Sequence, residues 1–161
     1  MIVVSNTTPI IKLAGIQFLD ILKSLFDSIY IPSAVYFEVT NNDQPGSQEV
    51  KTYDWIIHKN IQNMKMNFLL RNDLDAGESE AITLASEINA DLLLIDEKKG
   101  RYAADQLGLN KTGTIGILQL AKKRNIIPAI KPLLDDLIEK TGFWIKEDLY
   151  TQILIDSGEK R

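Results

Sequence analysis

The chain has 161 residues and a net charge of −4, a length typical of one domain that can bury a core of its own. It has no cysteine, which excludes disulfides, zinc–thiolate sites and thiol nucleophiles, and its single histidine, His58, has neighbours that predict a structural residue. No apolar run approaches the ~18 residues of a membrane span, and the N-terminal residues lack a basic signal-peptide region. We therefore expect a single domain over residues 1–161, in the cytoplasm and away from membranes.

The first half of the chain predicts short strands that alternate with helices. Strands are expected at 2–5 and 28–31, and helices at 10–14, 18–26 and from 33 through 39. Thr7 or Thr8 can cap the first helix, with Pro9 at its first position. Residues 48–57 are predicted to be helical and 61–68 to hold a strand.

The second half continues this alternation. Asp75 and Glu78 form a capping-box pattern ahead of a helix over 76–89, and the apolar run 92–95 is typical of a strand buried on both faces. Helices follow at 97–107, 114–123, 130–140 and 147–155, and Gly142 is expected to end the third of these. A short strand or turn is expected at 143–145 and a frayed tail at 157–161. Short strands between helices predict an α/β fold with a mostly parallel sheet.

Four points of the chain carry acidic or amide side chains at strand ends or helix starts. They hold Asn6, Glu38, the pair Glu78 and Glu80, and the pair Asp96 and Glu97. Ligands of parallel α/β sheets bind at the carboxyl ends of the strands, where Asn6 and Asp96 are expected. On general grounds the helix that begins near Glu78 would start at the opposite edge.

Each acidic residue also has a purely structural explanation. Glu78 completes a helix cap, Glu38 and Glu80 can be solvated helix residues, and Asp96 with Glu97 can cap the helix that follows. Their joint occurrence favours a hard divalent cation, Mg²⁺ or Mn²⁺, because these ions prefer oxygen ligands. Candidates for phosphate contacts are basic residues near these points: Lys12, Lys98, Lys99 and Arg101.

Four segments give this pattern a recognisable order: 5–10 (Ser-Asn-Thr-Thr-Pro-Ile), the helix with Glu38, 74–82 (Leu-Asp-Ala-Gly-Glu-Ser-Glu-Ala-Ile) and 93–97 (Leu-Leu-Ile-Asp-Glu). Together they resemble the PIN domains, and more narrowly their VapC-like branch. The Gly-Glu-x-Glu-Ala string is also similar to the acidic motif of flap endonucleases. The likeness runs from residue 2 to about 120 and includes Gly-Thr-Ile-Gly-Ile-Leu at 113–118.

The resemblance implies a three-layer α/β/α fold and Mg²⁺- or Mn²⁺-dependent cleavage of RNA, often by the toxin of a toxin–antitoxin pair that works as a homodimer. It implies that all the acidic points meet in one crevice. The implied catalytic residues are Glu38, Glu78, Glu80 and Asp96, and the implied metal site is formed by Asn6, Glu38, Glu78, Glu80, Asp96 and Glu97.

The sequence departs from most active PIN nucleases at Asn6, where those proteins carry aspartate. An amide offers a carbonyl oxygen to a metal but no charge, so an alternative hypothesis is a weakly active or inactive PIN-fold module that binds nucleic acid or protein. A small Mg²⁺ phosphatase or receiver-like domain is disfavoured, because Asn6 removes the aspartate that would accept the phosphoryl group.

Overall fold

The computed structural model describes residues 1–160 and has a central sheet of five parallel strands. The strands lie in the order β3-β2-β1-β4-β5. Their bounds are β1 Val3–Ser5, β2 Ile29–Ile31, β3 Ile56–His58, β4 Leu92–Leu94 and β5 Lys111–Thr112. The register is fixed at the centre of the sheet by the pairs Val4 with Tyr30 and Val4 with Leu93.

Ten helices surround the sheet in the described part of the chain. The first five are α1 Thr7–Gly15, α2 Ile21–Phe26, α3 Ser33–Thr40, α4 Ser47–Thr52 and α5 Met64–Leu70. The others are α6 Ala76–Glu87, α7 Lys98–Gln106, α8 Thr114–Lys123, α9 Lys131–Thr141 and α10 Glu147–Asp156. Within residues 1–160, no helix is long and apolar enough to cross a membrane.

The sheet separates two hydrophobic cores, because successive side chains of a strand point to opposite faces. Val3 and Leu94 contact one core, which is built with α1, α2, α3, α8 and α9. Val4 and Leu93 contact the other core, which is built with α6 and α7. The predicted three-layer α/β/α fold with a parallel sheet is therefore confirmed.

Several local predictions are confirmed with small shifts of their ends. The capping box at the start of α6 is present in both directions between Asp75 and Glu78. Helix α9 ends at Gly142, which adopts the left-handed conformation (φ 69°) that glycine tolerates without strain. His58 is exposed at the end of β3, where its ring stacks on Tyr36 with centroids 4.6 Å apart.

Other local predictions are wrong. The predicted helix 48–57 ends at Thr52, and Ile56–His58 pairs with β2 as a strand, so sheet pairing overrides the helical pattern there. The predicted strand at 61–68 is instead the helix α5, which packs on α6 and has no buried residue. Residues 143–145 form no regular element, and the two-residue strand β5 is too short to leave an apolar signature.

The predicted frayed tail is also wrong for the residues that the structure describes. The Glu159 carboxylate accepts hydrogen bonds from Ile130 N at 2.7 Å and Lys131 N at 3.0 Å, and it pairs with Lys122 Nζ at 2.9 Å. These contacts fasten the segment after α10 to the start of α9. Arg161, the last residue of the predicted tail, lies outside the described residues.

Candidate active site at the carboxyl edge of the sheet

The candidate site lies where the chain leaves the carboxyl ends of β1 and β4. Strand β1 is flanked by β2 on one side and by β4 on the other, so the connections after β1 and β4 diverge and leave a crevice between them. Asn6 follows β1 directly, and its backbone N–H donates to Leu94 O at 2.9 Å. Asp96 and Glu97 follow β4 within three residues. The strand ends thus bring Asn6, Asp96 and Glu97 to one edge.

Asn6 and Glu97 are joined directly across this crevice. Asn6 Nδ2 donates to Glu97 Oε2 at 3.1 Å, and the Thr8 hydroxyl donates to Glu97 Oε1. Asn6 is at the N-cap position of α1 but makes no side-chain cap, because its amide is turned toward Glu97. Its carbonyl oxygen, Oδ1, is buried and has no hydrogen-bond partner among the described residues. A buried acceptor without a donor is costly, so this atom is suited to a cation or a water.

Glu38 approaches the same edge from α3. Its Oε2 accepts from Thr7 Oγ1 at 2.5 Å, and its Oε1 accepts from Gly77 N at 3.0 Å. A Cβ at residue 77 would lie 2.7 Å from Oε1, so glycine allows this close approach of the α6 backbone. The contact also places the start of α6 at the carboxyl edge of the sheet. The expectation that this helix starts at the opposite edge is therefore wrong. A crossover helix runs antiparallel to the strands, so it begins at the edge where the strands end.

Asp96 is held by the start of α8. Its Oδ1 accepts from Thr114 N at 2.8 Å and its Oδ2 accepts from the Thr114 hydroxyl at 2.7 Å. A Cβ at Gly113 would lie 2.5 Å from Asp96 Oδ1, so this position also depends on glycine. Arg101 lies beside Gly113 and donates to Ile95 O at 3.1 Å.

Glu78 and Glu80 differ in their surroundings. Glu78 is 8% exposed, and its Oε1 accepts from Asp75 N at 3.2 Å in the capping box. Its Oε2 would lie 3.3 Å from a Cβ at Gly100, so it faces the start of α7. Glu80 instead accepts from Ala34 N at 3.1 Å, at the start of α3. Its contact is therefore with the helix that carries Glu38 rather than with the strand ends.

Burial and mutual repulsion raise the pKa of three of these carboxyl groups. Burial is the first cause for Glu38, Glu78 and Asp96, and the charge of Glu97 contributes to all three. The pKa of Glu78 is raised to about 7, with Asp75 as the nearer charge. Thr7 and Thr114 oppose these shifts, since their hydrogen bonds lower the pKa of Glu38 and Asp96. These three carboxyl groups therefore bind a proton more readily than exposed ones, and a nearby positive charge would oppose the shifts in their pKa.

The crevice contains the type of ligand atom that a hard divalent cation prefers. These atoms are oxygens, they repel one another, and Asn6 Oδ1 is a buried acceptor that lacks a donor. Within residues 1–160, however, no three His, Cys, Asp or Glu side chains are grouped closely enough to hold one ion. The carboxylate oxygens are occupied by Thr7, Thr8, Gly77 and Thr114, with which a cation would compete.

The predicted phosphate contacts fall in two groups. Arg101 and the exposed Lys98 and Lys99 lie on the first turn of α7, directly after the acidic pair. Lys12 instead donates to Thr141 O at 2.6 Å and fastens α1 to the end of α9.

The residues that hold the carboxylates were not predicted from the sequence. Thr7 and Thr8 were interpreted only as candidate helix caps, and Thr114 only as a helix start. Asp75, interpreted as a cap, is also an acidic neighbour that raises the pKa of both Glu38 and Glu78. Hydroxyl residues directly after Asn6 and at the first position of α8 were the available signal.

A parallel α/β sheet with an acidic crevice between the connections that follow β1 and β4 is the arrangement that the resemblance to PIN domains implied. Comparison with known proteins gives the same class. The model of the family DUF3368, a PIN domain, matches residues 2–159. The chain therefore belongs to this PIN-domain family. PIN domains are in general a nuclease fold and depend on divalent metal.

A solved structure supports the fold. A PilT N-terminus domain protein from the hyperthermophilic archaeon Sulfolobus solfataricus P2 is similar with a TM-score of 0.54 and 21% sequence identity. The match covers 73% of this chain and 90% of the archaeal chain. No curated protein matches the chain.

Proposed function

We propose that the protein is a metal-dependent endoribonuclease that cleaves RNA with Mg²⁺ or Mn²⁺ at the crevice beside Asn6. The observation that carries the proposal is the unpaired, buried Asn6 Oδ1 at the carboxyl edge of a PIN-domain sheet. Asn6 contacts Glu97, and the charge of Glu97 acts on both Glu38 and Asp96. When bound, the cation supplies positive charge that polarises the scissile phosphodiester and offsets the carboxylates.

The residues of the chain have separate parts in this proposal. Glu38, Asp96 and Glu97 would hold the cation in place of their hydrogen bonds to Thr7, Thr114 and Thr8, and Asn6 would add its carbonyl oxygen. Glu78, whose pKa is raised to about 7, holds or releases a proton near neutral pH. Glu80 positions α3, and thereby Glu38, through its hydrogen bond to Ala34 N. Arg101, Lys98 and Lys99 contact RNA phosphates.

The proposal extends to partners. We propose that the protein is a cytoplasmic homodimer and the toxin of a toxin–antitoxin pair, inhibited by an antitoxin protein. An apolar surface between α5 and α7 supports a protein partner, since Phe68, Leu69 and Tyr102 are 75%, 58% and 67% exposed. Light scattering tests the proposed dimer. The wild type should have the mass of a dimer, and Leu69→Asp on this surface should give a monomer. A wild type with the mass of a monomer would contradict the proposal.

A second candidate function is a PIN-fold module that binds RNA without cutting it. Two observations favour it: Asn6 carries no charge, and the described residues contain no group of three acids ready to hold one ion. Both candidates use the same crevice, so they differ only in whether RNA bound there is hydrolysed.

Cleavage of a labelled single-stranded RNA separates the candidates. Wild-type protein should cut it with Mn²⁺ or Mg²⁺ and not with excess chelator. Glu38→Gln should abolish cleavage, because glutamine can accept from Gly77 N and donate to Thr7 Oγ1 while it removes the charge. Glu139→Gln, an exposed change on α9, is the matched control and should cut like the wild type.

All proteins in this experiment are purified in parallel, so that a contaminating ribonuclease appears in every sample. Equal cleavage by wild type and Glu38→Gln, or cleavage that survives the chelator, would contradict the nuclease. RNA binding without cleavage by the wild type at saturating Mn²⁺ would favour the binding module.

A further inference from the structure

A cavity beside the acidic pair has a wall that is apolar and aromatic. This cavity, of about 690 Å³, is lined by Asp96, Glu97 and Arg101. It is also lined by the segment between α9 and α10 and by α10 itself, with Phe143, Trp144 and Leu149. A volume of this size is typical of ligand sites. A ligand that binds at the acidic residues can therefore extend into the apolar part of this cavity.

Trp144 is the distinctive residue of this wall. It is 76% exposed, whereas the other tryptophan, Trp55, is 7% exposed and belongs to the core. The adjacent Phe143 packs against the core and anchors the segment from which Trp144 projects. An indole that is held by its neighbour yet exposed to solvent in a cavity offers a flat surface at low conformational cost.

The charges of the cavity determine which part of a nucleic acid fits against Trp144. Among the described residues that line it, Arg101 is the one basic side chain, against the carboxylates of Asp96, Glu97 and Asp156. A phosphate is repelled by this set unless it lies near Arg101 or a cation. A nucleobase is neutral and flat, and nucleobases of single strands stack on exposed aromatic side chains.

We propose that Trp144 forms a base-stacking subsite beside the active site, which selects RNA that is single-stranded where it enters the cavity. The subsite rests on the proposed function for its position next to the reacting phosphate. A base in a duplex is already stacked between its neighbours, so it cannot cover the Trp144 ring without leaving the helix. The amide of Gln119 lines the same cavity and offers hydrogen bonds to a base edge, whereas the Gln152 amide donates to Asp156 Oδ1 at 2.7 Å.

The test uses a fluorescent-labelled single-stranded hexa-adenylate RNA, with Ca²⁺ in place of Mn²⁺ and a gel to verify that the RNA stays intact. Binding is followed by anisotropy and by tryptophan emission, to which the exposed Trp144 contributes the solvent-sensitive part. Wild-type emission should fall on addition of this RNA, and should change little with a duplex or with an abasic oligomer of equal length.

Variants then isolate the ring. Trp144→Ala should weaken binding roughly 5- to 100-fold, the range found for loss of one stacked base, and Trp144→Phe should restore most of the affinity. Phe18→Ala is the matched control: Phe18 is also an exposed aromatic residue, at 38%, but lines neither this cavity nor the surface between α5 and α7, so its loss should leave RNA binding unchanged.

Three results would overturn the subsite. They are equal RNA affinity of Trp144→Ala and wild type, equal binding of the abasic oligomer, and a wild-type dimer that Trp144→Ala dissociates. Failure of the subsite and of the proposed function can be distinguished. If Trp144→Ala cleaves RNA with Mn²⁺ as fast as wild type does, only the subsite is contradicted. If RNA quenches the tryptophan emission of wild type but wild type does not cleave that RNA with Mn²⁺, only the nuclease is contradicted.

Discussion

At the scale of the residue, the acidic crevice is defined by pairs in which a hydroxyl or an amide holds each carboxylate. Thr7 holds Glu38, Thr114 holds Asp96, and Asn6 with Thr8 holds Glu97. These donors keep closely placed acids in fixed positions although burial and repulsion raise the pKa of Glu38 and Asp96. Holding these acids close together costs stability, which a bound positive charge would offset.

The pKa of Glu78 predicts how stability depends on pH. It is about 7 in the folded protein against 4.5 for an ordinary glutamate, so between these values the folded state binds more protons than the unfolded state. Stability should therefore fall as pH rises from about 4.5 through 7, by about 2 kcal/mol after allowance for solvent screening.

Glu78→Gln should flatten this slope, since glutamine keeps the capping box but does not titrate. Thermal unfolding of both proteins between pH 4.5 and 8, in the presence of chelator, measures the effect. A wild-type slope that Glu78→Gln leaves unchanged would assign the proton to a different group.

Asn6→Asp tests the proposed metal site at the residue where this chain departs from the family it resembles. The new carboxylate would face Glu97, whose Oε2 now accepts from Asn6 Nδ2 at 3.1 Å, so the metal-free variant should unfold at a lower temperature. Added charge next to a cation should tighten Mn²⁺ binding about tenfold, a net gain of about 1–2 kcal/mol once desolvation is subtracted.

Calorimetric titration of wild type, Asn6→Asp and the exposed control Asn42→Asp with Mn²⁺ measures this gain. Equal affinity in all three proteins would show that residue 6 does not face the metal. Tighter binding without cleavage would favour the module that binds RNA without cutting it.

At the scale of the element, the sequence predicted strongly patterned segments and missed those specified by pairing. The capping box of α6, the apolar strand β4 and the glycine end of α9 are local signals, and all three are confirmed. Strand β3 was missed because Trp55 and Ile56 continue the apolar pattern of the preceding helix, while pairing with β2 depends on distant residues. The two residues of β5 contain no pattern to read.

The contact between the C-terminal segment and α9 gives a prediction at this scale. Although burial raises the pKa of Glu159, hydrogen bonds from Ile130 N, Lys131 N and Lys122 outweigh it and lower the pKa to about 2. The stability that this gives is present above about pH 4.5 and is lost as pH falls toward 2.

Glu159→Gln should cost about 2 kcal/mol at pH 7, since it weakens three hydrogen bonds to a charged acceptor. Urea unfolding at pH 7 and at pH 3 measures this cost, with Glu139→Gln as the exposed control. The difference between Glu159→Gln and wild type should shrink at pH 3. A variant as stable as wild type at pH 7 would mean that the segment is free in solution.

At the scale of the whole molecule, the order of strands explains why distant residues meet. Asn6 and Asp96 are 90 positions apart in the sequence, yet β1 and β4 are neighbours whose carboxyl ends share one edge. Their approach could be predicted from the parallel pattern. The hydrogen bonds of Thr7, Thr8 and Thr114 could not, because they depend on side-chain orientation at helix starts that the pattern leaves open.

We expect the crevice at this edge to hold the divalent cation of the proposed nuclease. A crystal soaked with Mn²⁺ and measured for anomalous scattering tests this expectation, because the signal locates the ion without reference to activity. We predict a peak bounded by Asn6, Glu38, Asp96 and Glu97. A crystal that shows no peak there at saturating Mn²⁺, or whose strongest peak lies elsewhere on the protein, would contradict this expectation.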